Sequence, residues 1–174
     1  MSQSTQKKLI IFVCLLAFLG LTAGVTALTQ NAPLESAADD SGFPKDKITI
    51  QTASGKTYDF DVELALTQEH QQQGMMWRKS LAEDAGMLFI FEGSGEKTFW
   101  MKNTLIPLDI IHIDEEGLIG HIHHNAKPHD LTHLTAPVST KAVLEINGGQ
   151  SERLGIGLGD KILHPVFRNI LAEP

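Results

Sequence analysis

Apolar and polar residues alternate through residues 47–51 (KITIQ) and 57–64 (TYDFDVEL), on either side of Ala53-Ser54-Gly55-Lys56. A period of two about a turn predicts a β-hairpin. The pattern then breaks. Thr67 is an expected N-cap for a short helix over 68–73, with Glu69 in its first turn and Gly74 as its stop. Ser80, with Glu83 three residues on, predicts a second, very short capped turn. Strands are expected over 87–91 and 98–104, joined by Glu92-Gly93-Ser94-Gly95-Glu96. Pro107 interrupts the pattern before a strand over 109–113, where the chain must turn or bulge. A hairpin through 114–117 follows, then strands over 142–146 and 161–166. Many short strands, with one or two short helices near the start, predict a mainly β single domain, a small barrel or rolled sheet.

The ends of the chain read differently. Lys7-Lys8, an apolar run over 9–21 and the small-residue exit Val25-Thr26-Ala27 have the three parts of a secretory signal over 1–27. The alternative is an uncleaved membrane anchor, since the low-polarity stretch extends to Leu28 and approaches the roughly 20 residues that span a bilayer. Either reading makes the protein exported, periplasmic or secreted in the first case and anchored in the second. Residues 28–45 are polar and aperiodic, an expected flexible linker, which leaves 46–174 as the β-rich domain.

Composition narrows the chemistry. Setting aside Lys7 and Lys8, the 14 basic residues become 12 against 21 acidic ones, a net charge of −9. No cationic face remains for nucleic acid, and contact with a membrane is expected only through the N-terminal segment if it is uncleaved. Cys14 is the only cysteine and lies inside the apolar run, so thiol catalysis and thiolate metal sites are excluded once the signal is removed. No Gly-x-Ser-x-Gly elbow marks a serine hydrolase. The glycines at 148–149 and 155–159 lack the strand-to-helix context and the Lys-Ser/Thr of a phosphate loop, and read as hairpin turns.

Residues 86–109, GMLFIFEGSGEKTFWMKNTLIPLD, hold Trp100-Met101-Lys102-Asn103-Thr104 and Ile106-Pro107-Leu108-Asp109. Upstream lies Gly74-Met75-Met76-Trp77-Arg78, and downstream Val143-Leu144-Glu145-Ile146-Asn147-Gly148-Gly149 and Gly159-Asp160. In this order these motifs resemble those of the bacterial and archaeal family of domain of unknown function 192, over about residues 48–162. The resemblance implies a shared domain. It assigns no reaction.

Two constellations bear chemistry. Arg78, Trp100, Lys102, Asn103, Thr104 and Asp109 are candidate ligand-binding residues, a few polar groups beside an aromatic wall. If 98–104 is a strand, Trp100, Lys102 and Thr104 share one face. The plainer reading gives Asn103 and Thr104 to the turn before Pro107 and Asp109 to an ion pair with Lys102 or Arg78. Asp109 and Glu145 would be paired carboxylates for glycoside chemistry only at the right separation.

The second constellation is the histidines. His112, His121 and His123 are candidate metal ligands, with His124, His129 and His133 nearby; the alternative is ordinary exposed hairpin histidines. A two-residue turn at Glu115-Glu116 would pair Ile113 with Leu118 and His112 with Ile119, and place Ile110 opposite His121. His112, His121 and His123 then share one face, and a shift of one residue abolishes the grouping. The resembled family usually carries an apolar or aromatic residue at the position of His112, a departure that argues against metal binding as a function the family shares. Met75, Met76, Trp77, Met87 and Met101 read as core rather than as a soft-metal site.

The leading expectation is thus an exported, non-catalytic β domain binding a small ligand, a glycan or an envelope partner, without an obligate cofactor. A metal-assisted hydrolase using the hairpin histidines, and a purely structural interaction domain, are the alternatives.

Overall fold

The computed structural model describes residues 42–170. The expected secretory signal and most of the expected linker lie outside them. Strands β1 (Lys45–Gln51) and β2 (Thr57–Ala65) form the expected hairpin, with Lys45 opposite Glu63 and Gln51 opposite Thr57. The domain begins a little before residue 46, since Phe43 is buried and Pro44 accepts a 2.7 Å hydrogen bond from Leu64. Helix α1 (Gln68–Gln73) follows as the pattern indicates, with the Thr67 hydroxyl capping His70 N at 3.1 Å.

The remaining elements are β3 (Ala85–Gly95), β4 (Thr98–Phe99), β5 (Leu108–Ile113), β6 (Ile119–Ala126), β7 (Leu134–Thr135), β8 (Thr140–Asn147), α2 (Gln150–Leu154) and β9 (Lys161–Leu163). Seven strands form one sheet in the order β6-β5-β8-β3-β2-β1-β9, while β4 and β7 form a separate pair. β2 and β3 run parallel, joined by the crossover through α1, and the other pairings in the sheet are antiparallel. The sheet curls until its edges meet. Ile119 N donates to Asp160 O and Ile162 N to Gly117 O, both at 2.8 Å, beside a bridge between Leu118 and Lys161. The result is the rolled sheet expected, a half-barrel.

Several expected elements are corrected. Trp100 to Thr104 is a loop rather than a continuation of β4, because Asn103 adopts φ 55° and Thr104 N turns back to Met101 O at 3.2 Å. No helical turn forms at Ser80. The chain there turns at 83–84 with Ala85 N on Ala82 O. Gly148 and Gly149 open α2 instead of a hairpin, so helix is not confined to the start of the domain. β9 stops at Leu163, and His164 caps a 3₁₀ turn at Pro165–Phe167.

Strand alternation divides the apolar residues between two faces. Ile48, Ile50, Phe60, Val62, Leu88, Ile111, Leu144 and Ile146 pack together with Ile119 and Ile122 from one edge strand and Ile162 from the other, so this cluster fills the inside of the curl. Met87, Phe89, Ile110 and Val143 cover the opposite face and pack under Met75 and Met101 from the overlying loops and Phe99 from β4.

Asp109 secures the first of these faces. It is fully buried, and its carboxylate accepts from Asn125 N (2.7 Å), Gly149 N (2.8 Å), Ser151 N (2.8 Å) and the Ser151 hydroxyl (2.6 Å). Neither Lys102 nor Arg78 is its partner, contrary to the expected ion pair: oriented N–H dipoles replace a counter-cation, and Arg78 is held by Glu63. A bulge in β6, with Asn125 at φ 49°, turns the Asn125 N–H toward the carboxylate. Gly149 donates from φ 77°, and a Cβ on Gly148 would lie 2.5 Å from Asn125 Oδ1 and 2.9 Å from Pro107 Cβ. The Ile-Pro-Leu-Asp and Asn-Gly-Gly motifs are two sides of one structural knot. An orphaned buried donor costs about 1–3 kcal/mol. Asp109→Ala is therefore expected to destabilise the domain by at least about 3 kcal/mol in urea denaturation, and Ser151→Ala by about 1 kcal/mol; an Asp109→Ala protein unfolding with the parent would contradict this role.

Candidate functional site

The site lies on the other face. Cross-strand pairing aligns Glu63, Met87, Glu145, Ile110 and His123 in one row, and Ala65, Phe89, Val143, His112 and His121 in the next. Directly opposed residues share a face. Asp109 pairs with Ile146 and Glu145 with Ile110, so the two carboxylates project to opposite sides of the sheet, and the glycosidase arrangement is ruled out.

Above this face is a cavity of about 290 Å³. Residues 71–73 of α1 and the Gly74-Met75-Met76 turn line one side, Phe89 and Phe91 of β3 another, and Lys97 to Trp100 with Lys102 and Thr104 the third. The α1 wall is fixed by Gln71, whose amide donates to Ile90 O at 3.0 Å and Ala65 O at 3.3 Å. Phe99 meets Phe89 edge to face at 5.1 Å. Lys97 Nζ lies 4.7 Å from the Phe91 ring centre, and Lys102 Nζ 5.1 Å from that of Trp100. Each keeps its charge near solvent while its stem covers apolar surface.

Glu145 also lines the cavity. It is 5 % exposed, and its Oε2 is buried without a hydrogen-bond partner. Burial pushes its pKa up to about 8, against a smaller downward pull from the Arg78 charge. Arg78 is committed to a bidentate pair with Glu63 and lies 5.8 Å from the Phe43 ring centre. At neutral pH Glu145 keeps its proton. It is a weak acid at the edge of an apolar space.

The sequence candidates therefore divide. Trp100, Lys102 and Thr104 meet at the cavity; Trp100 and Lys102 are exposed and Thr104 is buried. Asn103 shapes the loop, its carbonyl accepting from Trp77 N at 2.9 Å and its amide facing Met76 Sδ at 3.7 Å. Arg78 lines a separate cleft, and Asp109 lies on the other face. Glu145 is the residue sequence reasoning did not place in the pocket. Its signal was present: an ionisable residue two positions from core-facing Val143, in a strand otherwise apolar from Ala142 to Ile146.

His112, His121 and His123 do share a face, by a different register. The turn is one residue longer than expected, pairing Ile113 with Ile119, and a further single-residue shift pairs His112 with His121 and Ile110 with His123. The two shifts sum to an even number, so the face is preserved. Ring centres lie 4.5 Å apart for His121–His123, 5.5 Å for His112–His123 and 6.1 Å for His112–His121. His112 is fully buried, with its pKa lowered to about 4 by desolvation and then by the other two rings; His123 is lowered by desolvation and then by the His121 ring. Among the described residues, no group of three or more His, Cys, Asp or Glu side chains is arranged, as it stands, to hold a metal ion. His124 Nδ1 lies 2.9 Å from Ser151 Oγ, which bonds Asp109. Here serine stands between imidazole and carboxylate, unlike a hydrolase triad, where the imidazole is central.

Glu145 gives the site a pH signature. Between its unfolded pKa near 4.5 and its folded value of about 8, the folded state binds more protons, so its contribution to stability is complete below 4.5 and is lost as pH rises through 8. Glu145→Gln keeps a neutral side chain throughout. Its stability relative to the parent should rise between pH 5 and pH 9 in urea titrations, and parallel pH profiles for the two proteins would refute the buried acid.

No functionally curated protein matches the chain. Among solved structures, a proposed transcription regulator from Sinorhizobium meliloti 1021 is 40 % identical, with a TM-score of 0.70 over 71 % of this chain and 96 % of its own. A protein of unknown function from Novosphingobium aromaticivorans DSM 12444 is 43 % identical, again with a TM-score of 0.70, over 72 % and 89 % of the respective chains. The profile of DUF192, described as an uncharacterized ACR, matches residues 49–164, two thirds of the sequence, and the chain belongs to that family.

Proposed function

We propose that this domain binds a small amphipathic molecule in the cavity between α1, β3 and the 97–104 segment. The observation that carries the reading is the unpaired Oε2 of Glu145, buried at the edge of an apolar space. An unsatisfied buried carboxyl group is costly, and a ligand that supplies its partner recovers that cost. Phe89, Phe91, Phe99 and Met75 offer apolar surface, and Lys97 and Lys102 favour an anionic group at the rim. The ligand class is thus a molecule with an apolar body, an anionic end, and a polar end that shares a proton with Glu145. At about 290 Å³ the cavity admits only a small molecule or one end of a larger one.

Nothing in this reading requires chemistry on the ligand, and the Ser151 hydroxyl is fully buried and engaged with Asp109. The regulator description of the Sinorhizobium protein transfers poorly, because a chain with net charge −7 lacks the electrostatic drive toward nucleic acid. The basic, apolar and small-residue order of residues 1–27 supports action outside the cytoplasm, as an exported or membrane-anchored protein. A screen of small anionic compounds by ligand-observed NMR tests the proposal. Hits should compete for one site, lose affinity at least tenfold in Glu145→Gln (about 1.4 kcal/mol), and weaken with salt and in Lys102→Ala. Hits insensitive to both substitutions, or no hits from a broad panel, would contradict it.

A further inference from the structure

The histidines beside Phe99 carry an inference independent of the cavity. Thr140 Oγ1 donates to Val138 O at 3.3 Å, and His112 Nδ1 lies 3.2 Å from the same oxygen. Both contacts are satisfied together when the hydroxyl donates to the carbonyl and Nδ1–H donates to the hydroxyl, the tautomer that leaves the lone pair on Nε2. Nε2 is buried and has no hydrogen-bond partner. His123 Nε2 is likewise buried and unpartnered, on a ring 5.5 Å away. Two orphaned imidazole nitrogens on one sheet face, beside the third ring of His121, make a polar site without a protein partner.

We propose that His112, His121 and His123 bind one late divalent transition-metal ion of the zinc class. Zinc–nitrogen bonds of about 2.0–2.1 Å at tetrahedral angles place ligand ring centres roughly 5 Å apart. The observed spacings of 4.5, 5.5 and 6.1 Å bracket that value. Closing the site calls for reorientation of the partly exposed His121 and His123 rings about soft terminal torsions, while His112 stays where Thr140 holds it. The His112–Thr140–Val138 chain is the outer-shell arrangement that a metal-bound histidine uses to fix its tautomer. Three nitrogen ligands leave a fourth position for water or an exogenous group. The cluster borders Phe99, which also lines the cavity and stands edge-on to His112 at 6.0 Å.

Full-length protein made without a histidine tag, stripped with chelator and titrated with Zn²⁺ against a chromophoric competitor, tests this directly. One equivalent should bind, and Co²⁺ should give the intense visible bands of a four-coordinate ion. His121→Gln and His123→Gln alter partly exposed residues, so both should fold by circular dichroism. Each should weaken binding by more than the roughly 10- to 100-fold typical of outer-shell changes. His129→Gln and His133→Gln, on exposed residues, should bind as the parent does. Less than one equivalent bound, or binding unchanged in both His121→Gln and His123→Gln, would overturn the site.

Discussion

The carboxylate of Asp109, taken fully out of water and held by three backbone N–H groups and one hydroxyl, is the constraint around which the half-barrel is arranged. A buried charge survives only with its hydrogen bonds complete. Completing them here draws two separate stretches of chain onto β5: the β6 bulge, and the segment that runs from the Gly148-Gly149 turn into the first residue pair of α2. The close approach of Gly148 to Pro107 follows from the same convergence. Once β5, β6 and the end of β8 are joined on the inner face, strand alternation leaves the outer face to Met87, Phe89, Glu145, His112 and His123. The pocket and the histidine cluster thus depend on a residue that belongs to neither.

Two acids of this sheet illustrate how differently a buried carboxyl group can be treated. Asp109 is given a full set of donors and needs no cation. Glu145 lies in the same row as Glu63 with Met87 between them, feels the Arg78 charge only at a distance, and keeps an oxygen without a partner. The first is a finished structural element, while the second is a group awaiting a partner. The motifs of this chain accordingly have two purposes. Ile-Pro-Leu-Asp and Asn-Gly-Gly build the knot, while the Gly-Met-Met turn and the Trp-Met-Lys-Asn-Thr loop build the cavity wall.

Much of the fold was legible because its signals are local. The β1–β2 hairpin, the Thr67-capped helix and the apolar β5 strand each follow from period, cap or turn chemistry within a few residues. The loop at Trp100 to Thr104 was misread because its alternation is that of a strand, whereas the left-handed Asn103 and a long-range contact to Trp77 decide its path. The parallel β2–β3 pairing is set by tertiary packing and leaves no local mark. Burial of Asp109 was legible from its apolar neighbours, but its partners were not, since backbone N–H groups are common to every sequence. The histidine grouping was reached through a register wrong by two, an error to which face parity is blind. Glu145 was visible as a misplaced charge in an apolar strand, yet its role depends on a cavity assembled from three distant segments.

The central claim is that one face of the sheet holds a neutral, unsatisfied acid at a ligand cavity. Carbon-13 NMR of the Glu145 side-chain carboxyl, assigned by comparison with Glu145→Gln and followed through a pH titration of the ligand-free full-length protein, tests it most directly. An inflection near 8 is the predicted result. An inflection near 4.5, the ordinary value, would mean that Glu145 is solvated and ionised at neutral pH, and would contradict the account.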